Sequence, residues 1–176
     1  MLGSVEVRLL GSDAGRGVAG WTLRGVGSLE LDGLPTERAY SEVPPAGPAH
    51  ANGVRAIDHV VVLTPDLDRT VSRLQAGGLE LRRIREQPSA TGAPRQAFFS
   101  LGAEILEVVQ GSPAEGPARF WGLALLTGDL DDSARVLGED LGEIHAAVQP
   151  GRRIATIRRT AGLSVPVALI SARERG

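Results

Sequence analysis

Leu63-Thr64-Pro65-Asp66-Leu67-Asp68 returns later in the chain as Leu126-Thr127-Gly128-Asp129-Leu130-Asp131, with five of six positions identical. An apolar run precedes each copy: Ile57-Asp58-His59-Val60-Val61-Val62 before the first, and Phe120-Trp121-Gly122-Leu123-Ala124-Leu125 before the second. Helix-compatible spacing follows each, as far as Leu74 and Leu137. Self-similarity of this kind sets the architecture before any single element is read. Two copies are too few for a solenoid, which needs about three neighbours to bury a continuous core. The chain therefore reads as a paired domain with pseudo-symmetry between its halves.

The pattern around each copy predicts the same element order twice. The first half reads strand 57–64, helix 66–76, and strands 79–86, 95–101 and 104–110. The second reads strand 120–127, helix 129–139, and strands 143–149, 152–159 and 165–171. Leu67, Val71 and Leu74 make one helical face, and Gly77-Gly78 ends that helix. The repeated Asp-Leu-Asp places acids at the positive end of a helix dipole, so it reads as a helix-start signature rather than a catalytic one. Residues 41–54, rich in proline, glycine and small side chains, read as a linker. Ahead of it, residues 1–40 read as an N-terminal β extension. Val5-Glu6-Val7-Arg8-Leu9 and Trp21-Thr22-Leu23-Arg24-Gly25-Val26 alternate there as short strands do. This segment is too small for its own core, but Trp21, Leu23, Val26, Leu29 and Leu31 give it apolar surface to dock with.

Two absences remove whole reaction classes, for the 176 residues include no cysteine and no lysine. Thiolate nucleophiles, disulfides and iron–sulfur clusters are excluded, and so are Schiff bases and the P-loop lysine. The composition suits a GC-rich bacterial genome. Net charge is −2 with no long block of either sign, so no footprint for nucleic acid stands out. No apolar run approaches the roughly 18 residues of a membrane span, and the N-terminus lacks a signal-peptide pattern, so the expected location is cytoplasmic. The glycines from Gly11 to Gly20 do not follow the strand-turn-helix order of a dinucleotide site, and neither Ser100 nor Ser171 sits in a Gly-x-Ser-x-Gly elbow.

The opening Ile57-Asp58-His59-Val60, the Asp-Leu-Asp helix start and the fourth strand Glu104-Ile105-Leu106-Glu107-Val108-Val109 together resemble the vicinal oxygen chelate superfamily. That group includes the glyoxalase, bleomycin-resistance and extradiol-dioxygenase proteins. The resemblance covers residues 55–171, as modules 55–111 and 118–171. It implies an α+β fold of two β-α-β-β-β modules whose sheets curve round a shared cavity. Metal-binding members of the superfamily usually place one ligand on the first strand and one on the last strand of each module, often His and Glu. The first module matches with His59 and Glu107. The second has Gly122 opposite His59 and no donor in Val165-Pro166-Val167-Ala168-Leu169-Ile170. The expectation is accordingly no cofactor, with His59 and Glu107 the residues that would hold a divalent metal if one binds.

His59 and Glu107 are the catalytic candidates, and they are expected to be neighbours. Each interrupts an otherwise apolar strand face, which is costly unless the polar group finds a partner. Three roles are open to His59: a histidine hydrogen-bonded to Asp58 or Glu107, an acid/base group, or a metal ligand. For Glu107 the choice lies between a general base whose pKa burial would raise and a strand-end carboxylate facing water. Arg95 and Arg153 are candidates to clamp a substrate anion, and Phe99 and Trp121 to wall the pocket. The resemblance implies a glyoxalase-like lyase or isomerase acting on a small oxygenated or carbonyl compound, or else a metal-free binding protein of the bleomycin-resistance kind. A homodimer is compatible with either.

Overall fold

The computed structural model describes residues 1–40, 45, 47, 50–86, 94–111 and 115–173. Residues 41–44, 46, 48 and 49 of the expected linker lie outside them. The elements are β1 (Trp21–Leu23), β2 (Thr36–Arg38), β3 (Val54–Thr64), α1 (Leu67–Ala76), β4 (Glu80–Arg85), β5 (Gln96–Ser100), β6 (Ile105–Gln110), β7 (Arg119–Thr127), α2 (Leu130–Leu137), β8 (His145–Ala146), β9 (Arg153–Thr156) and β10 (Val167–Ser171). The class is α+β, mostly sheet with two α-helices among the described residues, and β-α-β-β-β occurs twice in order. Among the described residues no helix is long and apolar enough to cross a membrane.

The chain forms two compact units, Gly15–Ser41 with His59–Gly122, and Met1–Ala14 with Glu42–Asp58 and Leu123–Gly176. In the first, the strands are ordered β4-β5-β6-β3, and β3 runs parallel to β6 with Val61 opposite Glu107. Leu67, Val71 and Leu74 of α1 pack on Val62, Ala97, Phe99, Leu106 and Val108, which fixes one sheet face as the covered one. Side chains alternate along a strand, so Val61, Phe98 and Glu107 point from the other face. In the second unit the order is β7-β10-β9-β8, again with a parallel pair, Ala124 opposite Ala168. Its core gathers Val54, Leu130, Leu141, Ala155 and Leu169.

Each strand-to-helix turn is built the same way. The Asp66 carboxylate accepts the Arg69 amide, and Asp129 accepts those of Asp131 and Asp132, as helix-capping acids do. Behind each cap two buried hydroxyls meet at 2.6 Å, Thr64 with Thr70 and Thr127 with Ser133. A buried hydroxyl costs stability unless hydrogen-bonded, and these pairs are further satisfied from upstream segments. Thr70 donates to Asp32, and Ser133 to the Asn52 carbonyl oxygen.

The N-terminal residues divide between the units. Val26, Leu31 and Leu34 are buried against α1. Arg69 holds Asp32 through two hydrogen bonds of 2.9 and 3.2 Å. Asp32 lies in the left-handed region at φ 54°, a conformation that aspartate tolerates better than most residues. The expected strand Val5–Leu9 does not form: Leu2 bridges Val5, and residues 6–10 are exposed. Alternation alone does not make a strand where the backbone finds no second strand to bond. The short strand β2, which the sequence did not signal, pairs parallel with β1 instead.

Candidate functional site

A chain of four polar side chains crosses the sheet face of the first unit that lies opposite α1. Parallel pairing of β3 with β6 sets His59 diagonal to Glu107, and antiparallel pairing of β5 with β6 sets Phe98 directly opposite Glu107. His59 Nε2 stands 3.3 Å from Glu107 Oε2, with side chains 12% and 16% exposed. The other carboxylate oxygen, Oε1, accepts the Gln96 amide at 2.6 Å. The Gln96 carbonyl oxygen in turn accepts from Arg85 at 2.9 Å. Both Glu107 oxygens are therefore fixed in orientation, and Gln96 links them to a cation one strand pair away.

Electrostatics at Glu107 oppose one another. Burial raises its pKa, while the nearby His59 and Arg85 charges pull it down; burial wins, leaving the carboxyl above its ordinary value. A carboxylate tuned upward in this way suits proton abstraction near neutral pH. Arg83 and Arg85 both stand over the Phe98 ring, 4.9 and 5.8 Å from its centre. Such cation–π contacts fix guanidinium groups without consuming their hydrogen-bond donors.

The other residues expected at the site lie elsewhere. Arg95 bonds both oxygens of Asp68 and of Glu86, and also Gln110. Arg153 bonds both oxygens of Asp131. These are equivalent braces between strand and helix start in the two modules, and they hold the Asp68 and Asp131 pKa values down through hydrogen bonds. Phe99 is fully buried in the helix-covered core, and its neighbour Phe98 takes the place by Glu107. Trp121 is 46% exposed. Asp58, one expected partner of His59, pairs with Arg152 at 2.5 Å. Arg85 carried no sequence signal, because only the register of β4 on β5, with its irregularity between Leu81 and Arg83, shows which of three arginines meets Gln96.

The donor set does not fit a four-ligand metal cage. Val61 pairs with Glu107 as Ala124 pairs with Ala168, so Ala168 holds the position of Glu107 in the second module, and Gly122 that of His59. Neither can coordinate. Among the described residues no group of three or more His, Cys, Asp or Glu is placed to hold a metal.

With this geometry the chain has the vicinal oxygen chelate fold. The solved structures it is similar to include methylmalonyl-CoA epimerase from Mycobacterium tuberculosis, at 19% identity and a TM-score of 0.54, over 71% of this chain and 97% of that one. A Streptomyces coelicolor methylmalonyl-CoA epimerase variant in complex with 2-nitronate-propionyl-CoA matches at 22% identity and a TM-score of 0.54, over 70% and 99%. A methylmalonyl-CoA epimerase in complex with methylmalonyl-CoA and NH4+ matches at 21% and 0.52, over 68% and 97%. No protein-family model matches the sequence, and no curated protein does.

Proposed function

We propose that this chain is an enzyme of the isomerase or lyase type that moves a proton at a carbon next to a carbonyl or thioester, with Glu107 as the base. The observation that carries the reading is the largely buried Glu107, its side chain 16% exposed, held at one oxygen by Gln96 and at the other by His59. Glu107 takes the substrate C–H proton, and the C–H electron pair moves into the adjacent carbonyl, whose oxygen becomes the enolate oxygen. His59, in contact with the same carboxylate, steadies the charged form before abstraction and gives a proton to the enolate carbon afterwards, and the abstracted proton then passes from Glu107 to His59 across that contact and restores both groups. No step is routed through a metal. The fold shared with epimerases, one of which is solved with methylmalonyl-CoA, supports the choice of reaction class.

The test is solvent-deuterium incorporation, followed by NMR, into a panel of 2-oxo acids and acyl thioesters in D2O. Exchange with the wild-type protein and its loss in Glu107→Gln is the expected result; full exchange in Glu107→Gln sinks the assignment. A second reading, a metal-free binding protein, is favoured by the missing donors at Gly122 and Ala168. It predicts a ligand that raises the melting temperature and is recovered unchanged.

A further inference from the structure

Most arginines near β4 have acidic partners. Arg82 pairs with Glu80, Arg95 with Asp68 and Glu86, and Arg69 with Asp32. Arg83 and Arg85 differ. Among the described residues neither has a carboxylate oxygen at ion-pair distance; Arg83 contacts the Phe98 ring, and Arg85 contacts that ring and the Gln96 amide oxygen. The seven residues that follow Glu86, Gln87-Pro88-Ser89-Ala90-Thr91-Gly92-Ala93, contain no acid that could serve them. Two guanidinium groups thus share one aromatic ring on the sheet face that carries Glu107. Among the described residues no carboxylate takes their donors, one of those of Arg85 going to Gln96, and stacking on Phe98 limits the side-chain freedom that binding would cost.

We infer that Arg83 and Arg85, stacked on Phe98, form a clamp for an anionic group of the substrate, so that the substrate class is an acidic carbonyl compound carrying its own carboxylate or phosphate. The inference rests on the proposed role of Glu107 and adds the recognition element that role lacks. The planar fork of arginine matches the paired oxygens of either anion. Position narrows the class further. Only the Gln96 amide separates Arg85 from Glu107, so the Arg85 guanidinium lies within roughly 8 Å of the base and a clamped anion within roughly 11 Å, one further hydrogen bond away. An anion held there belongs to the reacting part of the molecule and not to the far end of a long carrier. The anion-binding role that the sequence suggested for Arg95 and Arg153 thereby passes to two arginines whose donors are not spent on helix caps.

The experiment is titration of the full chain with malonate, inorganic phosphate and acetate at constant ionic strength, followed by amide and arginine side-chain NMR shifts. Expected is saturable binding of malonate or phosphate that weakens about tenfold in Arg83→Gln, the loss of one charged bidentate contact. Arg85→Lys keeps the charge and loses the fork, so it should weaken binding less than Arg85→Gln. Arg82→Gln, on the same strand but paired with Glu80, should leave binding unchanged. Preference for malonate assigns a carboxylate, and preference for phosphate a phosphate ester. Glu107→Gln should bind the same anions at least as tightly, because a nearby negative charge is gone, so failure of the catalytic reading and failure of the clamp can be told apart. Absence of saturable binding of either anion, or binding that Arg82→Gln weakens as much as Arg83→Gln, would overturn the clamp.

Discussion

The two modules share a frame and differ in chemistry. Both have the parallel pair of first and last strands in the same register, the acidic helix cap, the buried hydroxyl pair and the arginine brace on the first helical turn. On the sheet face of the first module opposite its helix stand His59, Glu107, Gln96 and Phe98. The corresponding register positions in the second are Gly122, Ala168, Ile154 and Thr156. What repeats is therefore what holds strand to helix, and what does not repeat is what could act on a ligand. A lone module with the polar chain argues for chemistry confined to one half of a doubled scaffold.

The largest expected effect breaks that asymmetry directly. Glu107→Gln should lower proton exchange on a confirmed substrate by about 10²- to 10⁴-fold, the range for a positioned general base. Ala168→Ser, at the matching register of the other module, should leave exchange within about twofold, far inside that range. Exchange rates measured by NMR for the two variants decide it. Comparable losses in both would mean that the modules contribute alike and that the single polar chain is not the catalytic centre.

Next in size is the anchoring of the hydroxyl pairs, which the modules achieve by different means. Asp32 is a nearly buried side chain that serves both Thr70 and Arg69, whereas Ser133 leans on a backbone carbonyl at Asn52 that no side-chain change can remove. Asp32→Ala should cost roughly 1 to 3 kcal/mol, from orphaned partners plus the left-handed backbone that alanine resists. Asn52→Ala should cost much less. Thermal or urea melts of the two variants test the contrast, and equal losses would show that the Asp32 network adds nothing beyond ordinary packing.

The frame was legible in the sequence because its signals are periodic and local. The helices 66–76 and 129–139 were read as runs that the structure begins one residue later, Asp66 and Asp129 being caps. The late strands of the second half came out shorter than read, since Pro150-Gly151 and the turn at Arg159–Ala161 interrupt the pairing. The proximity of His59 and Glu107 followed from the module that the resemblance implies, in which the first and fourth strands share a face, and the side chains do meet at 3.3 Å. What stayed hidden depends on register: nothing in Phe98-Phe99 says which ring faces the helix, and nothing in Arg82-Arg83-Ile84-Arg85 says which guanidinium reaches Gln96. The repeat gave no clue for Arg95 and Arg153, because its offset carries Asp68 onto Asp131 but Arg95 onto Arg158, and only strand register shows the two arginines at equivalent places.

A third test uses Glu107 as a reporter of stability. Its pKa is raised in the folded state by burial. Such a group favours the fold while protonated, and that contribution fades as pH rises through the folded-state value. Glu107→Gln removes the titration and keeps a hydrogen-bonding side chain between Gln96 and His59. The variant should accordingly melt above the wild type at pH 7 to 8, by a margin smaller than the Asp32→Ala loss. The gap should close as pH falls toward the ordinary glutamate value of 4.5. A variant less stable than wild type at neutral pH would show that the His59 and Arg85 charges, and not burial, set the balance.

The smallest effect concerns the braces, and it separates frame from site most cleanly. Hydrogen bonds from Arg95 and Arg153 lower the pKa of Asp68 and Asp131, so the braces stabilise the fold above the ordinary aspartate range and lose that effect as pH falls through the lowered values. Both acids are exposed, so salt screening keeps each contribution slight. Arg95→Ala and Arg153→Ala should each lower the melting temperature a little at neutral pH and low salt, with the difference vanishing at high salt or strongly acid pH. Arg95→Ala should do slightly more, because Arg95 also holds Glu86. Neither should change anion binding or proton exchange. A variant that melted like wild type yet lost malonate binding would return that arginine to the ligand and leave the helix start of its module without the brace described.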